Sequence, residues 1–272
     1  MTIWILAQAA VSLAVSLSII MSVAWVVRRQ TRNSGWVDAV WTFGLGLVGL
    51  ISALVVLPGA DGWSLRQWIV ASLIVFWSLR LGVYITQRNL MIEDDPRYAA
   101  LAQEWGARAS SGMFWLLQKQ ALVTIPLALS VFLASHNPVQ GLRFQDLLAI
   151  FVAVTAIVGE GVADRQLRHF KSAASNTNGV CDRGLWAWSR HPNYFFEWLG
   201  WLAYPLFAID LSGGYPLGWL ALAGPVCMYW LLRHVSGIPP LEQHLMQSRG
   251  PAYRSYQART SAFFPLPFKF PG

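Results

Sequence analysis

The stretch from Ser189 to Glu197, with the sequence SRHPNYFFE, gathers anion-binding side chains where a polar loop enters an apolar segment. Arg190 and His191 precede Pro192, and proline suits the first turn of a helix, where open backbone N–H groups attract an anion. The arginine adds a fork of donors that matches phosphate. The sequence therefore indicates an anion site. Basic side chains that reach for the membrane surface are the structural alternative.

An amide and a carboxylate follow on the same helix. Asn193 and Glu197 are four residues apart, so they share one helix face and could grip a carboxamide or a ribose. Capping of the helix is the alternative for Asn193 alone. Because Glu197 lies within an apolar segment, where ionisable groups are functional by default, we interpret the pair as part of a binding site.

Asp38 and Glu160 also lie within apolar segments, where each needs a partner or a proton. A protonated carboxyl group in a dry pocket can donate a hydrogen bond to a ketone, which makes Asp38 a candidate catalytic acid. The alternative is an ion pair with Arg80, which lies deep in the third apolar segment. Arg80 and Tyr84 are four residues apart, so they place a cation and a phenol on one stripe.

Two further groups of polar residues complete the candidates. Asp164 and Arg168 are one helical turn apart at the end of the fifth apolar segment, a pattern that suits ribose and phosphate contacts or a solvated helix end. The tail around Glu242 and Tyr253 predicts a short amphipathic helix, which either closes over a pocket or lies on the membrane surface.

Several familiar motifs are absent from the sequence. It contains no P-loop, no G-x-G-x-x-G after a strand, no H-E-x-x-H and no G-x-S-x-G. Cys181 and Cys227 are far apart, so we predict neither a disulfide framework nor a metal site. A nucleotide would have to bind without a Rossmann domain.

The composition is that of a membrane protein. Of the 272 residues, 55% are hydrophobic and only 12% are charged, against about 25% in a soluble domain. The net charge of +7 lies at the ends of apolar segments, which argues against a nucleic-acid partner and for contact with membrane lipid. No polar linker divides the chain, so we expect one domain over residues 1–272. No obligate protein partner is indicated.

Seven segments are long and apolar enough to cross a bilayer, which takes about 20 residues. Spanning segments must be helical here because lipid cannot satisfy open backbone groups. The sequence therefore predicts an all-α integral membrane protein, a seven-transmembrane helical bundle. The predicted spans lie near residues 3–27, 36–58, 67–87, 119–135, 144–163, 193–211 and 215–234.

Arginine and lysine predict the orientation, because they are retained on the cytoplasmic side of short loops. They are frequent after the first, third, fifth and seventh spans, whereas the opposite loops carry only Arg66 and Arg143. This bias predicts an N-terminus outside and a cytoplasmic C-terminal segment at residues 235–272.

The polar residues between Arg165 and Tyr253 described above resemble those of the steroid 5α-reductase family, specifically its bacterial branch. Members of that family are seven-span enzymes that hold NADPH in a cytoplasm-facing cavity and reduce the Δ4 double bond of 3-oxosteroids. The resemblance therefore implies a multi-pass enzyme of the bacterial inner membrane that acts on a lipophilic, steroid-like enone. It rests on Arg165-Gln-Leu-Arg168, Gly184-Leu-Trp186, Ser189 to Phe195 with Glu197, and then Glu242 and Tyr253.

The resemblance also implies roles for single residues. Asp38 stands where the family has a glutamate on span 2, and Trp77 stands where it has a tyrosine on span 3; with Tyr84 they are the candidate catalytic residues. The implied NADPH-binding residues are Arg80, Tyr84, Arg88, Asp164, Arg168, Arg190, His191, Asn193, Tyr194, Glu197, Glu242 and Tyr253.

The expected reaction is hydride transfer from the nicotinamide to the β-carbon of an enone, with a proton delivered to the α-carbon. An isoprenylcysteine-type methyltransferase that uses S-adenosylmethionine is the alternative, because that family also has an Arg-His-Pro-x-Tyr element. A transporter or scaffold would explain the spans but not the arginines around Asn193 and Glu197. The arginines and this pair favour NADPH.

Overall fold

The computed structural model describes residues 1–60, 62–91, 94–172 and 179–266. Within these residues the regular secondary structure is helical, apart from an isolated bridge between Ser189 and Ser261. The α-helices are α1 Ile3–Thr31, α2 Trp36–Leu54, α3 Leu65–Asn89, α4 Pro96–Trp105, α5 Ala109–Ser135, α6 Phe144–Ser172, α7 Pro192–Trp201, α8 Ala203–Ala208, α9 Ala223–Trp230 and α10 Ile238–Arg259.

Long apolar helices confirm that this is a helical, multi-pass membrane protein. Five helical stretches in the described part of the chain are long and apolar enough to cross a bilayer. They correspond to the first five predicted spans, and the fourth begins earlier than expected, at Leu101. The total of seven spans and the orientation stay predictions.

The helices are shorter than predicted in the region where the last two spans are expected. In place of one helix over residues 193–211, it forms α7 and α8 with a break at Leu202. In place of one helix over residues 215–234, a 3₁₀ helix at Pro216–Leu222 leads into α9 and a π turn at Leu231–Val235. Proline has no backbone N–H to donate, and Pro192 and Pro216 each lie in the first turn of a segment.

The residues group into two compact units. The first contains Met1–Leu147 and Tyr204–Gly224, and the second contains Leu148–Ala203 and Pro225–Gly272. The expectation of one domain stays a prediction.

In the first unit, α2 packs against α1, α3 and α5. Glycines on α2 allow the close approach to α3. A Cβ atom added to Gly46 would lie 2.1 Å from Oγ and 2.3 Å from Cβ of Ser78, and one added to Gly49 would lie 2.7 Å from Ile74. The Ser78 hydroxyl donates to the carbonyl of Thr42 across the same contact (3.1 Å). Small residues at these positions therefore hold the two helices together, as in other membrane bundles.

A buried charge cluster lies in the first unit. Asp146 is fully buried, and Arg66 and Arg143 each donate to its carboxylate, at 2.8 and 2.7 Å. Arg143 also donates to the carbonyl of Phe207, near the end of α8, and to that of Ile209, just after the helix. The two arginines that the sequence assigned only to outer loops thus satisfy a buried carboxylate and open carbonyl groups.

We expect Gly46→Ala to destabilise the protein by about 1–3 kcal/mol, because its methyl group would overlap with Ser78, whose Cβ cannot rotate away. The midpoint of thermal unfolding in detergent measures this loss. The double variant Gly46→Ala/Ser78→Gly should recover most of it.

Gly200→Ala is the matched control, since its methyl group would meet the Cβ of Ala156 at an ordinary 3.4 Å. Equal losses in Gly46→Ala and Gly200→Ala would contradict the packing argument.

Candidate functional site

The second unit brings the Ser189 to Glu197 stretch together with the C-terminal tail. The backbone N–H of Arg190 donates to the carbonyl of Ser261 (2.8 Å), and the Ser189 hydroxyl donates to the carbonyl of Phe263 (2.8 Å). α7 begins at Pro192, which confirms the predicted helix start. The tail is helical as predicted, but α10 has a kink at Gly250, whose φ of +50° is accessible mainly to glycine.

Glu242 on α10 is the centre of a hydrogen-bond network. Arg190 Nε donates to Glu242 Oε1 (2.7 Å), and His191 Nε2 lies 3.0 Å from the same oxygen. Gln257 Nε2 donates to the other oxygen, Oε2 (2.9 Å). Arg190 also donates through Nη1 to the carbonyls of Thr260 (2.6 Å) and Gln257 (3.2 Å). The arginine predicted to clamp a phosphate is thus paired with a carboxylate of the protein itself.

Burial and these contacts decide the protonation states. Burial lowers the pKa of His191, so the imidazole is neutral at pH 7. Burial raises the pKa of Glu242, but the hydrogen bonds from His191 and Arg190 outweigh it and lower that pKa to about 2. Because an ionised carboxylate only accepts, Nε2 of His191 carries the proton and Nδ1 is left as the acceptor. The ring stacks on Tyr194, with 5.5 Å between the ring centres.

Asp164 and Asn193, which the sequence assigned to two separate pairs of candidate residues, meet in the structure. Asn193 Nδ2 donates to Asp164 Oδ1 (3.3 Å), and Asp164 is buried while Arg168, one turn along α6, is exposed. The close approach of α6 and α7 depends on Gly159, where an added Cβ would lie 2.4 Å from the ring of Phe196. Glycine at this position therefore brings the amide to the carboxylate.

Glu197 is buried one turn after Asn193, and it accepts a hydrogen bond from Trp201 Nε1 (3.0 Å). Tyr253 lies after the kink of α10 and is 1% exposed, with its hydroxyl near Glu242 and Arg190. Burial raises the pKa of this phenol, which stays protonated. The predicted binding residues of this unit thus fall into the network around Glu242 and the Asp164–Asn193–Glu197 group.

The first unit holds a separate polar cluster around Asp38. Arg88 Nη2 lies 3.7 Å from Asp38 Oδ2, and the Tyr98 hydroxyl donates to Asp38 Oδ1 (3.2 Å). Gln120 Nε2 in turn donates to the Tyr98 oxygen (3.1 Å). The sequence-based interpretation missed Tyr98 and Gln120. Gln120 is a polar residue within an apolar helix, which is a signal that the sequence carries, whereas Tyr98 lies in the short helix α4 between the third and fourth predicted spans, where no local pattern marks it.

The remaining predicted residues of the first unit lie on α3. The Arg80 guanidinium lies 5.9 Å from the centre of the Tyr84 ring, which confirms that the two share a helix face. Trp77 is buried and packs edge to face on Trp41, with 6.3 Å between the ring centres. Its catalytic role stays a prediction, as do the ligand contacts assigned to Arg80 and Tyr84.

Comparison with known proteins shows the family of the chain. A family model described as "Protein of unknown function (DUF1295)" matches residues 24–260. The chain belongs to this family. The match to the DUF1295 model includes every candidate residue from Asp38 to Tyr253. An uncharacterized protein of Schizosaccharomyces pombe is 26% identical over 275 residues, which cover 91% of this chain and 77% of the relative. No solved structure matches the chain.

The network predicts that acid destabilises the protein. The folded-state pKa of Glu242 lies below its ordinary 4.5, so its stabilisation is complete above pH 4.5 and is lost as the pH falls towards 2, roughly 3 kcal/mol in all. The pKa of His191 lies below its ordinary 6.5, so protonation in the unfolded chain adds a loss below that pH. The melting temperature in detergent should therefore fall from pH 7.5 to pH 4.

Glu242→Gln should lower the melting temperature at pH 7 and remove the part of the decline that lies below about pH 5, because the amide does not titrate in this range. A melting temperature that does not change with pH in the unsubstituted protein would contradict this assignment.

Proposed function

We propose that the protein is an integral membrane reductase that uses NADPH to reduce the double bond of a lipophilic conjugated enone, such as a 3-oxo-Δ4-steroid, in the bacterial inner membrane. The observation that supports this most directly is the Asp164–Asn193 hydrogen bond beside buried Glu197. It places carboxylates and an amide within one unit that also contains Arg168, Arg190 and His191. That combination suits a ligand with hydroxyl, amide and phosphate groups.

The residues of the second unit fit a dinucleotide by their chemistry. Carboxylates such as Asp164 and Glu197 accept hydrogen bonds from ribose hydroxyls or a carboxamide, and Asn193 can both donate and accept. Exposed Arg168 and the donors around Arg190 suit phosphates. When bound, NADPH would supply a hydride, while the protein positions the reacting atoms and excludes water.

The polar cluster of the first unit suits the carbonyl group of the enone. Tyr98 is 6% exposed, and its hydroxyl lies between the Asp38 carboxylate and the Gln120 amide. The phenol has one proton, which it donates to Asp38 in this structure, so a bound carbonyl oxygen would take the place of Asp38 as the acceptor. There the proton would stabilise the negative charge that develops during hydride addition. We therefore assign the polarising hydrogen bond to Tyr98, with the Gln120 amide holding the phenol oxygen.

Ligand-dependent stabilisation of the detergent-purified protein tests the cofactor. NADPH should raise the melting temperature in a concentration-dependent way, because a ligand bound only to the native state stabilises it. Arg168→Ala should weaken NADPH binding by roughly tenfold, as expected for one charged hydrogen bond. Arg165→Ala is the comparison variant, since it removes another exposed arginine from α6 and leaves Asp164 and Arg168 in place.

If S-adenosylmethionine raises the melting temperature and NADPH does not, the protein is a methyltransferase and not a reductase. Equal NADPH affinity in both arginine variants would show that Arg168 is a solvated residue at a helix end and does not contact the cofactor.

The carbonyl assignment is tested by NADPH oxidation in the presence of a 3-oxo-Δ4-steroid. Tyr98→Phe should lower kcat by about 10²-fold, the cost of removing one preorganised donor, while NADPH affinity stays unchanged. Tyr215→Phe is the matched control, because it also removes a buried phenol hydroxyl from the first unit, one that donates to the carbonyl of Leu133 (3.3 Å), and it should change kcat far less. A Tyr98→Phe enzyme with full kcat would show that another donor polarises the substrate.

A further inference from the structure

The groups around the Glu242 carboxylate in the described part of the chain are hydrogen-bond donors. Arg190 Nε and His191 Nε2 converge on Oε1, and Gln257 Nε2 donates to Oε2. The Tyr253 hydroxyl lies near the same carboxylate and can also donate. Donors that converge on one small region, with a cation among them, describe an oxyanion site. In this structure the oxyanion is supplied by the protein's own side chain.

The donors are held in place by contacts that do not depend on Glu242. Nη1 of Arg190 is bonded to the carbonyls of Thr260 and Gln257. The ring of His191 stacks on Tyr194, and its backbone N–H donates to the Ser189 hydroxyl (3.1 Å). The site would therefore keep its shape if the Glu242 carboxylate moved away, which is the preorganisation that binding an external anion requires.

Tyr253 is an independent indication of a ligand. It is 1% exposed, and its hydroxyl, which is close to Glu242 and Arg190, makes no hydrogen bond of normal geometry with a described residue. A buried hydroxyl without a partner costs about 1–3 kcal/mol, so such groups are rare in native proteins and need an explanation. An oxyanion on the neighbouring donors would accept its proton.

The kink in α10 separates Glu242 from the rest of the tail. Glu242 lies before Gly250, whereas Tyr256 and Arg259 lie after it and hold the second half of the helix to the carbonyl of Trp186 and to Asp182. Glu242 is also partly accessible, with 16% of its side chain exposed. The carboxylate can therefore leave its donors through a change confined to the first half of α10.

We infer that Glu242 is an internal competitor for a ligand oxyanion, which displaces it from Arg190, His191 and Gln257 and also binds the Tyr253 hydroxyl. Glu242 is therefore an autoinhibitory contact and not a ligand contact. The inference rests on the proposed function only for the identity of the ligand. If that ligand is NADPH, the oxyanion is one of its phosphate groups. A ligand carboxylate has the same donor requirement, so the experiment includes both classes.

The affinity of the full chain for inorganic pyrophosphate, measured by calorimetry in detergent, tests this inference. Glu242→Gln keeps the shape of the side chain but removes the competing charge, so pyrophosphate affinity should rise by about tenfold. Asp182→Asn is the matched control: it also removes one negative charge from an ion pair that holds α10, the one with Arg259, but it does not touch the oxyanion site. Its affinity should equal that of the unsubstituted protein.

The Tyr253→Phe variant distinguishes a role of the Tyr253 hydroxyl in ligand binding from a role of the side chain in packing. Removing a buried hydroxyl without a partner should leave the melting temperature of the ligand-free protein unchanged or raise it. The same variant should bind pyrophosphate more weakly, by about tenfold. A residue that serves only for packing would change stability and leave affinity unchanged.

If Glu242→Gln binds pyrophosphate and NADPH with an affinity equal to or lower than that of the unsubstituted protein, the inference is overturned. A lower affinity would make Glu242 itself a ligand contact. Absence of pyrophosphate, succinate and NADPH binding in both proteins would overturn it as well. If pyrophosphate shows the tenfold gain but NADPH does not bind, the oxyanion site stands and the reductase fails. A gain for succinate or S-adenosylmethionine alone would assign the site to a carboxylate.

Discussion

Compensation of buried charge is the constraint on which the rest of this structure depends. In a chain with only 12% charged residues, an unpaired ion inside a helical membrane protein costs several kcal/mol, and two carboxylates, one in each unit, are each held by two or more donors. Asp146 is held by Arg66 and Arg143 in the first unit, and Glu242 is held by Arg190 and His191 in the second. The contacts made by Arg66, Arg190 and His191 join segments that are far apart in the sequence.

The two carboxylates differ in what surrounds them. Asp146 is fully buried, and its arginines also satisfy backbone carbonyls, so the cluster is a structural feature of the first unit. Glu242 is partly exposed, lies before a kink, and has a buried phenol nearby whose hydroxyl makes no hydrogen bond of normal geometry in the described chain. The same pairing chemistry thus serves stability at Asp146 and suits regulation of binding at Glu242.

Glycine and proline decide where helices approach and where they end. Gly46 permits the contact of α2 with α3, and Gly159 permits the contact of α6 with α7 that brings Asn193 to Asp164. Pro192 begins α7 directly after the two basic residues, which leaves Arg190 and His191 in the turn where they reach Glu242. The polar clusters exist because small or cyclic side chains position the backbone around them.

The helical membrane class, the first five long helices and the start of α7 were predictable from the sequence, because apolar length and proline are local signals. So was the face shared by Arg80 and Tyr84. Tertiary structure decided the partners: Asp38 with Arg88 and Tyr98, and Arg190 with Glu242. It also divided residues 193–235 into short helices and turns. Partners across 50 or 60 residues depend on how helices pack, and no local pattern of side chains contains that information.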